Sequence, residues 1–302
     1  MTGGPLEVVR MIPLDLSGKV ALVTGVGDNI GFAWHIAKYL QAAGARLIFA
    51  CHPRLVTIVE SILTREADAE SRLLPYGTGS INVEKVFACD VNFDTMADVD
   101  AKTREDKRFA KHGDFSIAGL VENVKAYTPH VDIVVHAVAF SPEIKNRMVD
   151  TSRAAYLTAL SISSYSLTAL MRAFTPLMEG RPDPNAIALT YLGGDRVVPH
   201  YGGGMSTAKA ALQIDAQQLA SNLGPKKIRV NLVSAGPYAS RAARAIGDID
   251  DMINHAAAKS PLPRAIEVEE VGAATAFLAS PLASAITGHI LYVDCGYNVM
   301  GV

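Results

Sequence analysis

Short apolar runs alternate along this chain with longer stretches in which apolar residues recur at helical spacing. The runs lie at residues 19 to 24, 46 to 50, 84 to 89, 131 to 137, 185 to 192, 228 to 233 and 289 to 293. Runs of this length are typical of buried strands, and their regular alternation with helices is typical of an α/β domain. The pattern predicts a single-domain, Rossmann-like, doubly wound sheet of seven mainly parallel strands with helices on both faces.

Composition limits the classes of function. The 302 residues are 49% hydrophobic and carry a net charge of −2, so the chain can bury a large core and has no basic field for nucleic acid. No uninterrupted apolar run approaches the ~20 residues of a membrane span, so we expect a soluble protein without a membrane partner. Cys51, Cys89 and Cys295 are scattered without metal-ligand spacing, which predicts free thiols packed as small core residues and no metal site.

One stretch near the N-terminus has the form of a dinucleotide-binding loop. The apolar run VALVT is followed by GVGDNIG and by an amphipathic stretch that reaches Leu40 and ends at Ala43 and Gly44. Glycines let the backbone approach phosphate oxygens, and the start of the following helix offers unpaired N–H groups. The glycine spacing is not one of the common forms, but strand, loop and helix occur in the required order. The pattern predicts a pyrophosphate site.

A second stretch, YLGGDRVVPHYGGGMSTAK, carries candidate chemistry. Tyr191 lies ten residues before Tyr201, and Lys209 lies eight residues after Tyr201. A phenol can donate to an oxygen that becomes negative in a transition state, and an ammonium stabilises the same charge. Eight residues overshoot two helical turns by roughly 80°, so the glycines at 202 to 204 must supply an irregular helix start. Taken alone, the pair also fits a glycine turn followed by a surface lysine.

The chain resembles the enoyl-acyl-carrier-protein reductases of type II fatty-acid synthesis, which are divergent short-chain dehydrogenases. The similarity runs from about residue 13 to the C-terminus and includes GVGDNIGFAW, VDIVVHAVAFSPE, DTSRAAYLTALSISSYS, RVNLVSAGPYASRAARAIG and SPLASAITGHILYVDCG. The Tyr-x7-Lys spacing and the charged segment at 98 to 114 resemble the plastid-type branch. The resemblance implies reduction of trans-2-enoyl thioesters on acyl carrier protein, by hydride transfer from NADH.

The resemblance also implies a role for each site residue. Tyr201 would hydrogen-bond the thioester carbonyl, Lys209 would contact the nicotinamide ribose, and Tyr191 would flank the thioester, although packing competes as the role of Tyr191. Further substrate contacts would come from Ser141, Ala242 and Ile246. The cofactor would be bound by Gly25, Gly31, Phe32, His52, Asp90, Val91, Val138, Lys209, Ala235, Gly236, Pro237, Tyr238 and Ser240. For Asp90, acceptance from the adenine amino group competes with capping of the following turn.

Departures from the family pattern lie at the cofactor site. Phe32 and Ala33 stand where the plastid-type loop has tyrosine and glycine, and His52 stands where a tryptophan would cover the adenine. Arg54 lies nearby, and residues 49 to 53 contain no acid to meet the ribose 2′-hydroxyl. NADH is the expected cofactor, and NADPH stays open.

Two stretches interrupt the strand and helix alternation. Residues 66 to 81 and 94 to 114 are polar, glycine-rich or charged. We expect both to be surface excursions near the cofactor edge of the sheet. Charges of both signs at 98 to 114 favour a solvated loop there.

Two other functions remain as alternatives. A short-chain carbonyl or alcohol dehydrogenase using NAD(P) would carry Tyr-x3-Lys, yet none of the ten tyrosines has a lysine four positions on. A catalytically silent cofactor-binding protein would not need both Tyr201 and Lys209.

The resemblance extends to organisation and surroundings. It implies acyl carrier protein as partner and a homotetramer. We expect residues 1 to 12 to be an N-terminal extension and residues 13 to 302 to form one domain, with a mobile substrate-covering segment at about 238 to 254. Residues 1 to 17 have neither a secretory nor an Arg-rich transit pattern, so we expect that this chain lacks any targeting segment. The implied location is a plastid or apicoplast stroma, or the cytoplasm of a bacterium.

Overall fold

Seven parallel strands form one sheet in the computed structural model, which describes residues 14 to 244 and 248 to 301. The strands are β1 (Val20–Thr24), β2 (Arg46–Cys51), β3 (Val83–Ala88), β4 (Ile133–His136), β5 (Asn185–Thr190), β6 (Arg229–Ala235) and β7 (Ile290–Val293). Their order is β3-β2-β1-β4-β5-β6-β7, and all neighbours run parallel. The predicted doubly wound sheet is confirmed. Since the strand order changes direction between β1 and β4, a ligand crevice is expected at their carboxyl ends.

Helices cover both faces of the sheet. They are α1 (Phe32–Ala42), α2 (Val56–Thr64), α3 (Ala101–Glu105), α4 (Lys107–Ala110), α5 (Ile117–Tyr127), α6 (Arg153–Leu160), α7 (Ser166–Met178), α8 (Met205–Leu223), α9 (Arg241–Arg244), α10 (Ile249–Lys259) and α11 (Val268–Ala279). Helices α1, α2 and α11 enclose one apolar core, while α5, α7 and α8 enclose the other. The central strands are buried on both faces, which explains their continuous apolar runs.

The surface segment at 94 to 114 is more than the solvated loop that the charges at 98 to 114 predicted. It contains α3 and α4, and Phe109 is only 3% exposed. Phe109 packs with Phe93, Val99 and Phe115 in a small apolar cluster of its own. The prediction is wrong at Phe109 because a single aromatic residue with a few apolar neighbours can anchor a segment whose remaining residues are charged.

One long helix meets the size and composition of a membrane span. Residues 153 to 178 comprise α6, a π-helical turn at Ser161–Tyr165 and α7, and half of the apolar window is buried within the protein. A core helix of a sheet-based domain passes the same test, since it packs against the sheet and against α8.

The cysteines are free thiols in the structure. Cys51 and Cys89 are buried in the core, as expected, whereas Cys295 is half-buried beside β7.

Candidate active site

The glycine loop after β1 is fixed by close backbone contact. Gly25 adopts φ +78°, and a side chain there would overlap the carbonyl of Ala137 after β4. The Gly25 N–H donates to Ala50 O at 3.2 Å. Asp28 folds the rest of the loop by accepting from the Gly31 N–H at 2.7 Å. Helix α1 then begins without a side-chain cap or an acidic residue in its first turn, so its first N–H groups can bind pyrophosphate.

The residues predicted at the adenosine end come together beside β2 and β3. One carboxylate oxygen of Asp90 accepts from the Asn92 N–H at 3.1 Å, and the other lies 3.4 Å from Nε2 of His52. Asp90 therefore caps the following turn with one oxygen and lies beside the His52 ring with the other. Val91 is buried, and Val138 is half-buried where the loop leaves β4.

The segment after β6 lies against the glycine loop. Ala235 is buried at the end of β6, and the Gly236 N–H donates to Val293 O at 2.9 Å. Pro237 follows, and the Tyr238 ring packs on Phe32 with centroids 5.3 Å apart. This contact joins the first residue of α1 to the start of the predicted covering segment.

Ser240 and a cleft bound this part of the site. The Ser240 hydroxyl accepts from the Ala243 N–H at 3.1 Å and still has its own hydrogen to donate. Beside the loop, a cleft of about 540 Å³ opens between Asp28, α2 and the arginines at 241 and 244.

Tyr201 is placed by the three glycines that follow it. Gly203 and Gly204 have φ of +59° and +82°, and α8 begins at the next residue. The irregular helix start that the Tyr-x7-Lys spacing required is therefore present. Side chains at Gly202 or Gly203 would overlap carbonyl oxygens of the loop at 143 to 146. The loop that carries Tyr201 thus rests directly on the backbone of the segment that follows β4.

The two phenols form one cluster. The rings of Tyr191 and Tyr201 meet edge to face with centroids 4.9 Å apart. Burial raises the pKa of both phenols well above the usual value. Each phenol therefore stays protonated at any working pH and remains a hydrogen-bond donor.

The ammonium of Lys209 is buried. The side chain is 5% exposed, and Nζ donates to Leu189 O at 2.7 Å. Burial lowers the pKa of Lys209 from 10.5 to about 8. Leu189 lies two residues before Tyr191, so the ammonium and the phenols share the carboxyl end of β5. A surface lysine, the alternative interpretation of the sequence, is not what the structure shows.

His136 is a buried neighbour of this site that the sequence reasoning missed. It ends β4, is fully buried, and its Nε2 lies 2.7 Å from the Ser166 hydroxyl. Ser166 donates its only hydrogen to Ile162 O at 2.7 Å, so His136 must donate from Nε2 and leave Nδ1 as an acceptor. Burial, aided by the charge of Lys209, lowers the pKa of His136 to about 3. The signal in the sequence was a histidine that ends an apolar strand.

The predicted substrate residues differ in what the structure says of them. The Ser141 hydroxyl is buried and donates to Gly203 O at 2.7 Å, so it supports the loop that carries Tyr201. Ala242 belongs to α9, but its side chain is outside the described part of the chain, as is Ile246. Within residues 14 to 244 and 248 to 301, no group of three or more metal-ligating side chains occurs.

Comparison with known proteins gives one consistent family. Residues 81–298 match the family model described as Enoyl-(Acyl carrier protein) reductase. Over 292 residues the chain is 45% identical to the chloroplastic NADH enoyl-[acyl-carrier-protein] reductase of Arabidopsis thaliana, covering 96% of this chain and 74% of that protein. It is 39% identical to the NADH-dependent protein of that name from Nostoc, covering 96% of this chain and 100% of the relative.

A solved structure agrees with these sequence matches. The crystal structure of Plasmodium berghei enoyl-acyl-carrier-protein reductase with triclosan superimposes with a TM-score of 0.89 at 35% identity. The match covers 94% of this chain and 99% of that one.

The buried ammonium makes a testable prediction about stability. Because Lys209 has a lower pKa in the folded chain, the unfolded chain binds more protons between about pH 8 and 10.5. The free energy of unfolding should therefore rise with pH in that window, by roughly 3 kcal/mol in all. We expect Lys209→Met to be more stable than the wild type at pH 7, with the difference shrinking as pH approaches 10.5.

Urea unfolding at several pH values measures this difference. Lys125→Met, which removes an exposed ammonium on α5, serves as the control and should show no comparable pH trend. A difference between Lys209→Met and wild type that is the same at every pH would contradict the prediction.

Proposed function

The chain belongs to the enoyl-acyl-carrier-protein reductase family, and from that premise we propose which of its residues carry the reaction. The protein is an NADH-dependent oxidoreductase that reduces the carbon–carbon double bond of enoyl thioesters on acyl carrier protein, in type II fatty-acid synthesis. The observation that supports our assignment most is the buried ammonium of Lys209 at the same edge of the sheet as the protonated phenol of Tyr201.

The residues of the crevice fit a dinucleotide. Gly25 leaves no room for a side chain and so lets the backbone approach phosphates, while the open first turn of α1 supplies N–H donors. Asp90 and Val91 would bracket the adenine, and Val138 would contact its ribose. The segment from Ala235 to Ser240 would meet the carboxamide and the pyrophosphate. Bound NADH supplies the hydride.

Tyr201 would stabilise the substrate oxygen that gains charge. When hydride reaches the β-carbon, negative charge moves to the thioester oxygen, and a preorganised donor is most effective in a site without water. Burial keeps the Tyr201 phenol protonated, so it can donate to that oxygen. Tyr191 lies edge to face with Tyr201 and would flank the thioester.

Lys209 would orient the ribose and add positive potential. Its Nζ donates one hydrogen to Leu189 O, so two hydrogens are left to donate to ribose hydroxyls. Burial strengthens the electric field of the ammonium at the thioester oxygen that gains negative charge, because fewer water molecules screen the ammonium. Below about pH 8 the ammonium is charged in the folded protein.

The covering segment would close the substrate side. This segment, at residues 238 to 254, starts with Tyr238, whose ring packs on Phe32, and it includes the short helix α9. Ala242 and Ile246 would face the acyl chain there. We place the N-terminal extension at residues 1 to 12 and the single domain at 13 to 302.

We also propose a homotetramer. Leu157, Tyr165 and Ile214 are between 43% and 57% exposed on α6, its π turn and α8. Other exposed apolar side chains are Leu262, Val299 and Met300, past the carboxyl end of β7, and Leu282, before that strand. A tetramer with two kinds of two-fold interface requires two separate self-complementary faces, and we propose that the face with Leu157 and Ile214 is one of them. A plastid-type stroma or a bacterial cytoplasm is the proposed location.

Replacing the phenol tests the catalytic assignment. Tyr201→Phe should lower kcat for crotonyl thioesters by about 10² to 10³-fold, the scale of one lost oxyanion donor. NADH affinity, measured by calorimetry, should change little because the phenol faces the substrate. Tyr191→Phe, at the neighbouring ring, should have a smaller effect on kcat. Undiminished turnover in Tyr201→Phe would remove this residue from the chemistry.

A larger ring at His52 tests the adenine contact. His52 meets Phe109 edge to face at 5.3 Å beside Asp90, so His52→Trp should cover more of the adenine. We expect NADH to bind tighter by about 0.5 to 1.5 kcal/mol, with the Michaelis constant of the thioester unchanged. If His52 instead pairs with a 2′-phosphate, wild type will bind NADPH more tightly than NADH, and the tryptophan variant will lose that preference.

Charges on the exposed helix face test the assembly. Leu157→Lys combined with Ile214→Lys should prevent one two-fold contact and yield dimers in sedimentation experiments. Tyr76→Lys places the same charge on a different exposed apolar residue, 85% exposed, and should leave tetramers intact. Tetramers in the double variant would show that this face is not an interface.

A further inference from the structure

The segment at 94 to 114 is docked on the turn that follows β2. His112 Nε2 lies 3.1 Å from Pro53 O, and Lys111 Nζ donates to the Thr57 hydroxyl at 2.9 Å. Buried Phe109 meets the His52 ring edge to face. In dinucleotide sites of this fold, the end of the second strand meets the 2′ position of the adenine ribose. The docked segment therefore lies at the place where NADH and NADPH differ.

Arg54 is the positively charged side chain of this turn, and two residues of the segment contact its guanidinium. Its guanidinium lies over the Phe109 ring at 5.1 Å, and Nη2 is 3.4 Å from a carboxylate oxygen of Asp106. A free arginine at this position would be suited to a 2′-phosphate, since a guanidinium binds phosphate with two parallel hydrogen bonds. In this structure the Arg54 guanidinium already stacks on the Phe109 ring and pairs with the Asp106 carboxylate.

Asp106 is held in place by the start of α4. It accepts from the Arg108 N–H at 2.9 Å and from the Arg108 guanidinium at 2.7 Å. The hydrogen bonds from Arg108, with a smaller contribution from Arg54, hold the pKa of the Asp106 carboxyl well below its usual range. The carboxylate is thus charged throughout the working range of pH, and its position does not depend on Arg54.

We infer that Asp106 is a specificity-determining residue that disfavours NADPH. It supplies, from a distant segment, the acid that β2 does not carry at its own end. The carboxylate keeps Arg54 engaged against Phe109 and repels a 2′-phosphate, so discrimination comes from an unfavourable interaction with the wrong cofactor. NADH, which has a hydroxyl at that position, meets no such charge. This inference rests on the proposed cofactor site.

Asp106→Asn is the direct test. Asparagine keeps the side-chain size and can still cap α4, so the segment should stay docked. We expect the dissociation constant of NADPH to fall by about tenfold, because Arg54 becomes available and the repulsion is lost. NADH affinity should change by less than about twofold. Calorimetry without thioester measures both constants, so the result does not depend on the assignment of Tyr201 or Lys209.

Two further variants isolate the cause. Asp100→Asn changes the N-cap acid of α3 in the same segment, which accepts from the Thr103 N–H and is not bonded to Arg54; it should leave both constants unchanged. Adding Arg54→Ala to Asp106→Asn should cancel most of the gain in NADPH affinity.

Three results would overturn the inference. They are an unchanged ratio of the two constants in Asp106→Asn, an equal change in Asp100→Asn, and a full gain that survives loss of Arg54. Should Asp106→Asn fold poorly, Arg54→Ala alone gives a second measurement. With Asp106 in place, it should change NADPH affinity by less than about twofold, and a large loss would show that Arg54 already binds the phosphate.

Discussion

The active site depends on one backbone segment, residues 137 to 146, which leaves β4 at the change of strand order. Gly25 of the glycine loop after β1 and Gly203 of the loop that carries Tyr201 both touch its carbonyls so closely that neither could carry a side chain. The Ser163 hydroxyl of the π turn accepts from the Phe140 N–H and donates to the Phe140 carbonyl. A shift of this segment would therefore move both loops together. Interfaces packed this closely move as units rather than bend gradually.

Around that segment, burial decides the state of each ionisable group. The phenols of Tyr191 and Tyr201 stay protonated, His136 stays neutral, and Lys209 is the one buried cation at this edge among the residues described. Each state follows from the same cause, the cost of a charge away from water. The folded chain accepts that cost at Lys209, and in the role proposed for it this positive charge would act on a developing anion. Residues that lower stability are common in functional sites.

Sequence was sufficient for the features that local rules govern. The apolar runs predicted all seven strands, and the spacing from Tyr201 to Lys209 predicted the glycine-based irregularity that the left-handed Gly203 and Gly204 provide. It was insufficient where a contact joins distant parts of the chain. Nothing local shows that Ser166 fixes the tautomer of His136, 30 residues away. Nor does a run of mixed charges show that its one buried ring, Phe109, will lie under Arg54.

The same limitation explains why cofactor preference was left open by sequence. The rule for this fold looks for an acid at the end of β2, and residues 49 to 53 have none. What NADH selection requires is a negative charge near the ribose, and any segment that reaches this position can supply that charge. Asp106 lies 52 residues after Arg54 in sequence, yet the two side chains meet. Docking by Phe109 places the acid there, so an apolar contact sets the electrostatics of the adenosine end.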